Sequence, residues 1–139
     1  MDAESTLLII KPDGVRRALI GEILRRVEEA GLTIDALRME TIDRATAEEQ
    51  YGEHRDKPFF AELVDFLTWG PTWALVVEGE GAITAMRKTI GATNPADAEP
   101  GTIRGDLATS MPDNLVHASD APETAKREIG LWFSDGELV

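Results

Sequence analysis

The chain has 139 residues and a mass of 15.2 kDa, which suits one domain, 1–139, with a sizeable core and little room for a second. Its 26 acidic and 14 basic residues give a net charge of −12 with no basic run, a field that repels nucleic acid and anionic membranes. No cysteine is present, which excludes disulfides, thiolate catalysis and Cys-based metal sites.

In chain order, residues 5–10 (STLLII) read as a buried strand, broken at Pro12-Asp13-Gly14. The LLII run is far too short for a signal peptide or a membrane span, and a cytoplasmic location is expected. Ile20, Ile23, Leu24 and Val27 follow helical spacing, with Gly31 suited to close the helix. Residues 32–42 alternate as a strand, with a phase slip near Ala36 and Leu37 that predicts a bulge. Thr46 with Glu49 three residues on suggests a capping box for a short helix through Tyr51. Another helix is expected from near Pro58, with Phe60, Leu63, Val64 and Leu67 on one face.

Residues 72–78 (TWALVVE) form a predicted third strand. Ala82, Ile83, Met86 and Ile90 mark a helix ended by Gly91. Residues 92–113 read as irregular, and so long a loop in a small domain usually has a function. LVHA, 115–118, is the fourth strand; the last helix starts at Pro122 and is expected to bury Ala125, Ile129, Trp132 and Phe133. Strand–helix–strand twice over predicts an α+β domain, a ferredoxin-like βαββαβ four-stranded antiparallel sheet with helices on one face.

His117 stands where the fourth strand gives way to a loop. A lone histidine is more often a core residue bonded to a backbone carbonyl than a reactive group. A metal role is poorly supported, since no His/Asp/Glu cluster has ligand spacing, and no strand carries a G-x-S-x-G elbow. A nucleophilic imidazole needs its far nitrogen held as N–H, and Glu128 on the following helix can fold back to accept it, although spacing alone favours an exposed helix glutamate paired with a nearby basic residue. Lys11, Arg87 and Arg104 each sit beside a turn. Singly they read as solvated charges; together, in so acidic a chain, they form a candidate phosphate clamp. There is no glycine-rich phosphate cradle, so side chains would have to bind the anion.

The segments IIKPDGVRR (9–17), DKPFF (56–60), GATNPADAEPGTIRGD (91–106) and NLVHASD (114–120) resemble nucleoside diphosphate kinases, in register over nearly the whole chain. The resemblance implies Mg²⁺-dependent, ping-pong transfer of a γ-phosphoryl group, usually from ATP, to a nucleoside diphosphate. The carrier would be a phosphohistidine at Nδ1 of His117. It places Lys11, Tyr51, Arg87, Arg104 and Asn114 around the phosphates and sugar, and Thr93 as a donor to a phosphate oxygen. Phe59 would stack on the base beside Leu63 and Met111, while Ser119 and Glu128 would support the histidine. The magnesium would ride on the nucleotide phosphates, with no protein ligands.

Two departures stand out. Ala118 replaces the family's usual glycine after the nucleophile, at a cost of about 1 kcal/mol if that backbone needs a positive φ. Trp69 replaces a commonly small residue and covers either a subunit surface or the end of the helix before it. The chain stops at Val139, where many members have a longer tail that joins subunit contacts; a homohexamer is expected, with tetramer or dimer as alternatives. Two rival readings are a catalytically silent nucleotide-binding protein and a phosphohistidine donor to other proteins.

Overall fold

β1 (Ala3–Ile10) lies inside the sheet, and its apolar run explains the architecture. Leu7, Leu8, Ile9 and Ile10 are all fully buried. Because strand side chains alternate, this requires cover on both faces of the sheet. A computed structural model of the chain describes residues 3–110 and 113–133. In it β1 pairs with β3 (Thr72–Glu80) and β4 (Val116–Ala118), and β3 pairs with β2 (Thr33–Glu40). The order is β2-β3-β1-β4 with every pair antiparallel, the ferredoxin-like arrangement that the sequence predicts. The predicted slip in β2 is present: the register breaks between Ile34 and Ala36.

The helices differ from expectation. α2 (Ile20–Glu29) and α5 (Ala82–Ile90) pack Ile23, Val27, Met86 and Ile90 onto the face carrying Leu8, Ile10, Leu75 and Val77. The opposite face, with Leu7, Ile9, Ala74 and Val76, is covered by α3 (Arg44–Gln50), α4 (Phe60–Thr68) and α7 (Pro122–Trp132). Helices on one face therefore describes only the two crossover helices. Two central strands that are apolar on both sides demand the second layer.

Local details also differ. The carboxylate of Asp43 caps α3 by accepting the Thr46 N–H at 2.8 Å, so Thr46 lies inside the first turn and not at the cap. α4 begins at Phe60, two residues after Pro58, and a 3₁₀ turn, Gly52–His54, precedes it. α1 (Pro12–Arg16) follows β1 directly. The segment read as irregular holds a 3₁₀ turn, Pro95–Asp97, and α6 (Ile103–Leu107), where Thr102 Oγ1 accepts the Gly105 N–H at 2.9 Å. In α7, Ala125 and Trp132 are buried and Ile129 is half-buried; Phe133, just past its end, is also buried.

The 99–105 turn closes tightly. A Cβ at Gly105 would stand 2.0 Å from the Glu99 carbonyl oxygen. Gly105→Ala is expected to cost about 2 kcal/mol, a fall in Tm of roughly 5–10 °C by calorimetry. An unchanged Tm would contradict this packing.

Candidate active site

The register of the shortest strand places the histidine. His117 pairs with Ile9, so its side chain projects to the face covered by α3, α4 and α7, while Val116 and Ala118 join the opposite core. Just before it, Leu115 has φ +73° and the Val116 N–H donates to the Asn114 carbonyl at 2.9 Å, a γ-turn. That strained turn is gripped by the segment leaving β1. The Lys11 N–H donates to the Leu115 carbonyl at 2.8 Å, and Asp13 Oδ2 accepts the Leu115 N–H at 3.0 Å. Gly14 passes so close that a Cβ there would stand 2.9 Å from Ile10 Cγ2 and 3.3 Å from the Leu115 oxygen. Ala118 is extended within β4 and 1% exposed. The expected strain at this alanine is therefore absent; it sits two residues before the histidine.

Glu128, on α7 and 1% exposed, has Oε2 at 3.1 Å and Oε1 at 3.3 Å from His117 Nε2. Ser119 Oγ donates to Oε1 at 2.5 Å and Gln50 Nε2 donates to Oε2 at 2.6 Å. Burial alone would raise the carboxyl's pKa. Hydrogen bonds from His117, Ser119 and Gln50, with the histidine's charge, outweigh it and hold the group below its ordinary value. An ionised carboxylate only accepts, so His117 Nε2 carries a hydrogen, and in the neutral ring Nδ1 is then the nitrogen with the lone pair.

Three cations border the same strand. Arg104 is 4% exposed and donates to the carbonyls of Asn114 (3.2 Å), Gly91 (3.1 Å) and Val116 (2.6 Å). Burial, then the charge of Arg87, pushes its pKa down to about 10 against the opposing influence of Tyr51. It stays charged at neutral pH. Arg87 Nη1 donates to the Ala118 carbonyl at 3.2 Å. Lys11 Nζ donates to Asn114 Oδ1 at 2.5 Å, and Asn114 Nδ2 donates to the Thr93 carbonyl at 3.1 Å. Burial pushes the Lys11 ammonium down to about 8; Asp13 opposes this, Arg104 adds to it and Asp113 opposes it. Among the described residues none of these three cations pairs with a carboxylate, whereas Arg25, Arg26, Arg44 and Arg55 all do.

Tyr51 is buried, edge-on to the His117 ring at 6.4 Å. Burial raises its phenol well above the usual value, Glu128 adds to this and Arg104 opposes it, so the hydroxyl stays neutral. Rings continue outward from Tyr51 to His54 at 6.4 Å and from His54 to Phe59 at 5.6 Å, with Phe59 43% exposed. Leu63 packs against the core beside Phe60, and Thr93 is exposed, tied to Asn114 by its carbonyl. Met111 lies outside the described residues.

The structure thus gathers Lys11, Tyr51, Arg87, Arg104, Asn114, His117, Ser119 and Glu128, with Phe59, Leu63 and Thr93 further out. Sequence reasoning passed over Gln50, 2% exposed, because it ends a polar stretch, AEEQ, that reads as a solvated helix face. It also passed over His54 as a ring partner. Trp69 is 45% exposed, edge-to-face with Phe66 at 6.2 Å and under the Arg16 guanidinium at 5.5 Å. With Glu62 and Asp65 these two rings line a surface hollow of about 370 Å³ that does not contain the histidine.

The family model for nucleoside diphosphate kinase matches residues 4–138. A nucleoside diphosphate kinase of Rubrobacter xylanophilus is 62% identical over 130 residues, covering 94% of this chain and 98% of the relative. The solved nucleoside diphosphate kinase of Aquifex aeolicus superposes with a TM-score of 0.95 at 42% identity, covering 99% of this chain and 100% of that one. That of Halobacterium salinarum, a halophilic enzyme in complex with CDP, gives 0.96 at 47%, covering 99% and 92%.

Glu128 carries a linkage. Its folded pKa lies below the ordinary 4.5, so its stabilisation is fully present above that pH and is lost as pH falls through the lower folded value. Wild type is expected to unfold at higher urea than Glu128→Gln at pH 7, with the gap narrowing below pH 4.5. A gap independent of pH would contradict the ionised carboxylate.

Proposed function

The chain belongs to the nucleoside diphosphate kinase family, and from that premise we propose that His117 carries the phosphoryl group between nucleotides. The supporting observation is the locked ring: Glu128 holds Nε2, which leaves the Nδ1 lone pair for an electrophile. In the first step Nδ1 bonds to the γ-phosphorus of a nucleoside triphosphate, usually ATP. The bond to the bridging oxygen breaks, its electron pair leaves with the nucleoside diphosphate, and Glu128 stabilises the charge gained by the ring. In the second, a terminal oxygen of another nucleoside diphosphate bonds to phosphorus and the P–N electron pair returns to Nδ1. A phosphohistidine keeps a high transfer potential, so both steps run near thermoneutrality, where a serine ester would be a trap.

Lys11, Arg87 and Arg104 supply positive charge to the transferring oxygens, which is most of what phosphoryl transfer asks of a protein. Asn114 orients Lys11, Tyr51 borders the histidine, and Thr93 donates to a phosphate. Phe59 stacks on the base with Leu63 and Met111 beside it; stacking accepts any base, so discrimination among nucleotides is low. Magnesium arrives as part of the nucleotide. The cations Lys11, Arg87 and Arg104 bordering the strand of His117 suit a metal ion carried on phosphates. No described helix is long and apolar enough to cross a membrane, and a cytoplasmic enzyme is proposed. The edge strand β2 exposes Leu37 (46%) and Met39 (56%), which favours self-association, as a homohexamer on the family resemblance.

With ATP and Mg²⁺ but no acceptor, intact mass spectrometry is expected to find one acid-labile phosphoryl group per chain, discharged by GDP and missing from His117→Ala. Under native conditions the particle should weigh six times 15.2 kDa. Nucleotide binding without a phosphoenzyme would refute the kinase reading.

In the free enzyme Lys11 loses its proton near pH 8, below the ordinary 10.5, so phosphate attraction weakens as pH rises through that value. kcat/KM is expected to fall above about pH 8, and Lys11→Arg should move this limb upward by at least one unit. Identical limbs in both proteins would exclude Lys11 as its source.

A further inference from the structure

Gln50 is the last residue of α3, 2% exposed, and its amide meets three groups from distant parts of the chain. The Trp132 indole Nε1–H donates to Oε1 at 2.7 Å. An indole can only donate, so this contact fixes the amide: its oxygen faces Trp132, and its NH₂ faces the histidine side. There Nε2 donates to Glu128 Oε2 at 2.6 Å and stands 3.1 Å from His117 Nε2. With His117 Nε2 protonated, the ring and the amide are both donors, and both converge on Glu128.

We propose that Gln50 is a positioning residue for phosphoryl transfer: it ties the Glu128 carboxylate to the Trp132 indole and so keeps Nδ1 of His117 as the open nitrogen. The carboxylate has four contacts to satisfy from different elements. Ser119 follows β4, His117 lies on it, Gln50 comes from α3, and the Arg127 guanidinium approaches to 3.9 Å along α7. Tyr51 packs beside the ring, and Arg87 and Arg104 bond the carbonyls on either side of His117. Among the described residues Gln50 alone links this carboxylate to the Trp132 indole at the end of α7. The same amide would donate to Nε2 of the opposite tautomer, whose Nδ1–H cannot attack. The charge-assisted bond from the ring to Glu128 is the stronger of the two and sets the productive form. Gln50 therefore serves catalysis only while Glu128 is ionised and held in place.

The catalytic part of this inference rests on the phosphohistidine reading; the tautomer part does not. Two variants separate position from packing. Gln50→Leu removes both contacts. Gln50→Glu keeps an acceptor for Trp132 and replaces the donor with a second carboxylate, which restores a donor only when the pair binds a proton. For both, kcat is expected to fall about tenfold at pH 8, the rate equivalent of one hydrogen bond to a charged group, with nucleotide KM changed less than about twofold. For Gln50→Glu the ratio of variant to wild-type kcat should rise as pH falls from about 8 to 6. In ¹⁵N-histidine spectra without nucleotide, wild-type His117 should show a protonated Nε2 and an unprotonated Nδ1, and Gln50→Leu should shift both signals toward a tautomer mixture. A lower Tm in Gln50→Leu with unchanged kcat and unchanged His117 signals would overturn the proposal, as would a pH-independent ratio in Gln50→Glu. Wild type that never becomes phosphorylated would sink the kinase reading while the ¹⁵N comparison still decides the tautomer.

Discussion

The turn at Leu115 is the constraint on which the site depends. A non-glycine residue at φ +73° costs on the order of 1–3 kcal/mol and persists only where its surroundings enforce it. Here Leu115 is fully buried, its carbonyl is bonded by the Lys11 N–H and its own N–H by Asp13. One short segment after β1 thus brings Lys11 to Asn114, points the Asn114 and Val116 carbonyls at Arg104, and starts β4 in the register that turns His117 toward α7. The residues of KPDG have separate tasks in this clasp: cation, helix start, buried acceptor and close approach.

A protein of net charge −12 must gather anions locally against its own field. It does so by where it leaves cations unneutralised. Arginines on α2 and α3 are matched to carboxylates at the surface, where such pairs contribute little to stability. Among the described residues Arg104 and Arg87 bond only backbone carbonyls and Lys11 an amide oxygen, so their charge remains for a ligand. The Glu128 carboxylate is engaged by His117, Ser119 and Gln50 and forms no ion pair with these three cations among the described residues.

Much of this was legible in the sequence where a local rule governs: the apolar period of α2 and α5, the bulge in β2, and the glycine ends at Gly31 and Gly91; the pairing of His117 with Glu128 came through the family resemblance, since spacing alone reads Glu128 as an exposed helix glutamate. Four features were not. Asp43 outcompetes Thr46 as a cap because it lies one turn earlier with a stronger acceptor. α6 is only five residues long, too short for a period to show. The second helical layer follows from burial on both sides of β1 and β3, a tertiary fact that the βαββαβ order does not contain. Gln50 has the composition of a surface and becomes buried only when α3 meets α7.

That second layer is where the fold acquires its chemistry. The crossover helices α2 and α5 would suffice for half a sheet, and the core on their face is mainly aliphatic. The opposite face receives His117 from β4, Gln50 and the neighbouring Tyr51 from the end of α3, and Glu128 and Trp132 from α7. Gln50, Glu128 and Trp132 are buried there, and their burial is tolerable because each is bonded by a partner from another element. A carboxylate on a lone helix would swing and solvate. Fixed between Ser119, Gln50 and His117, it gives the ring one orientation and one tautomer. The helices that cover β1 are therefore the same ones that make its neighbouring histidine a nucleophile.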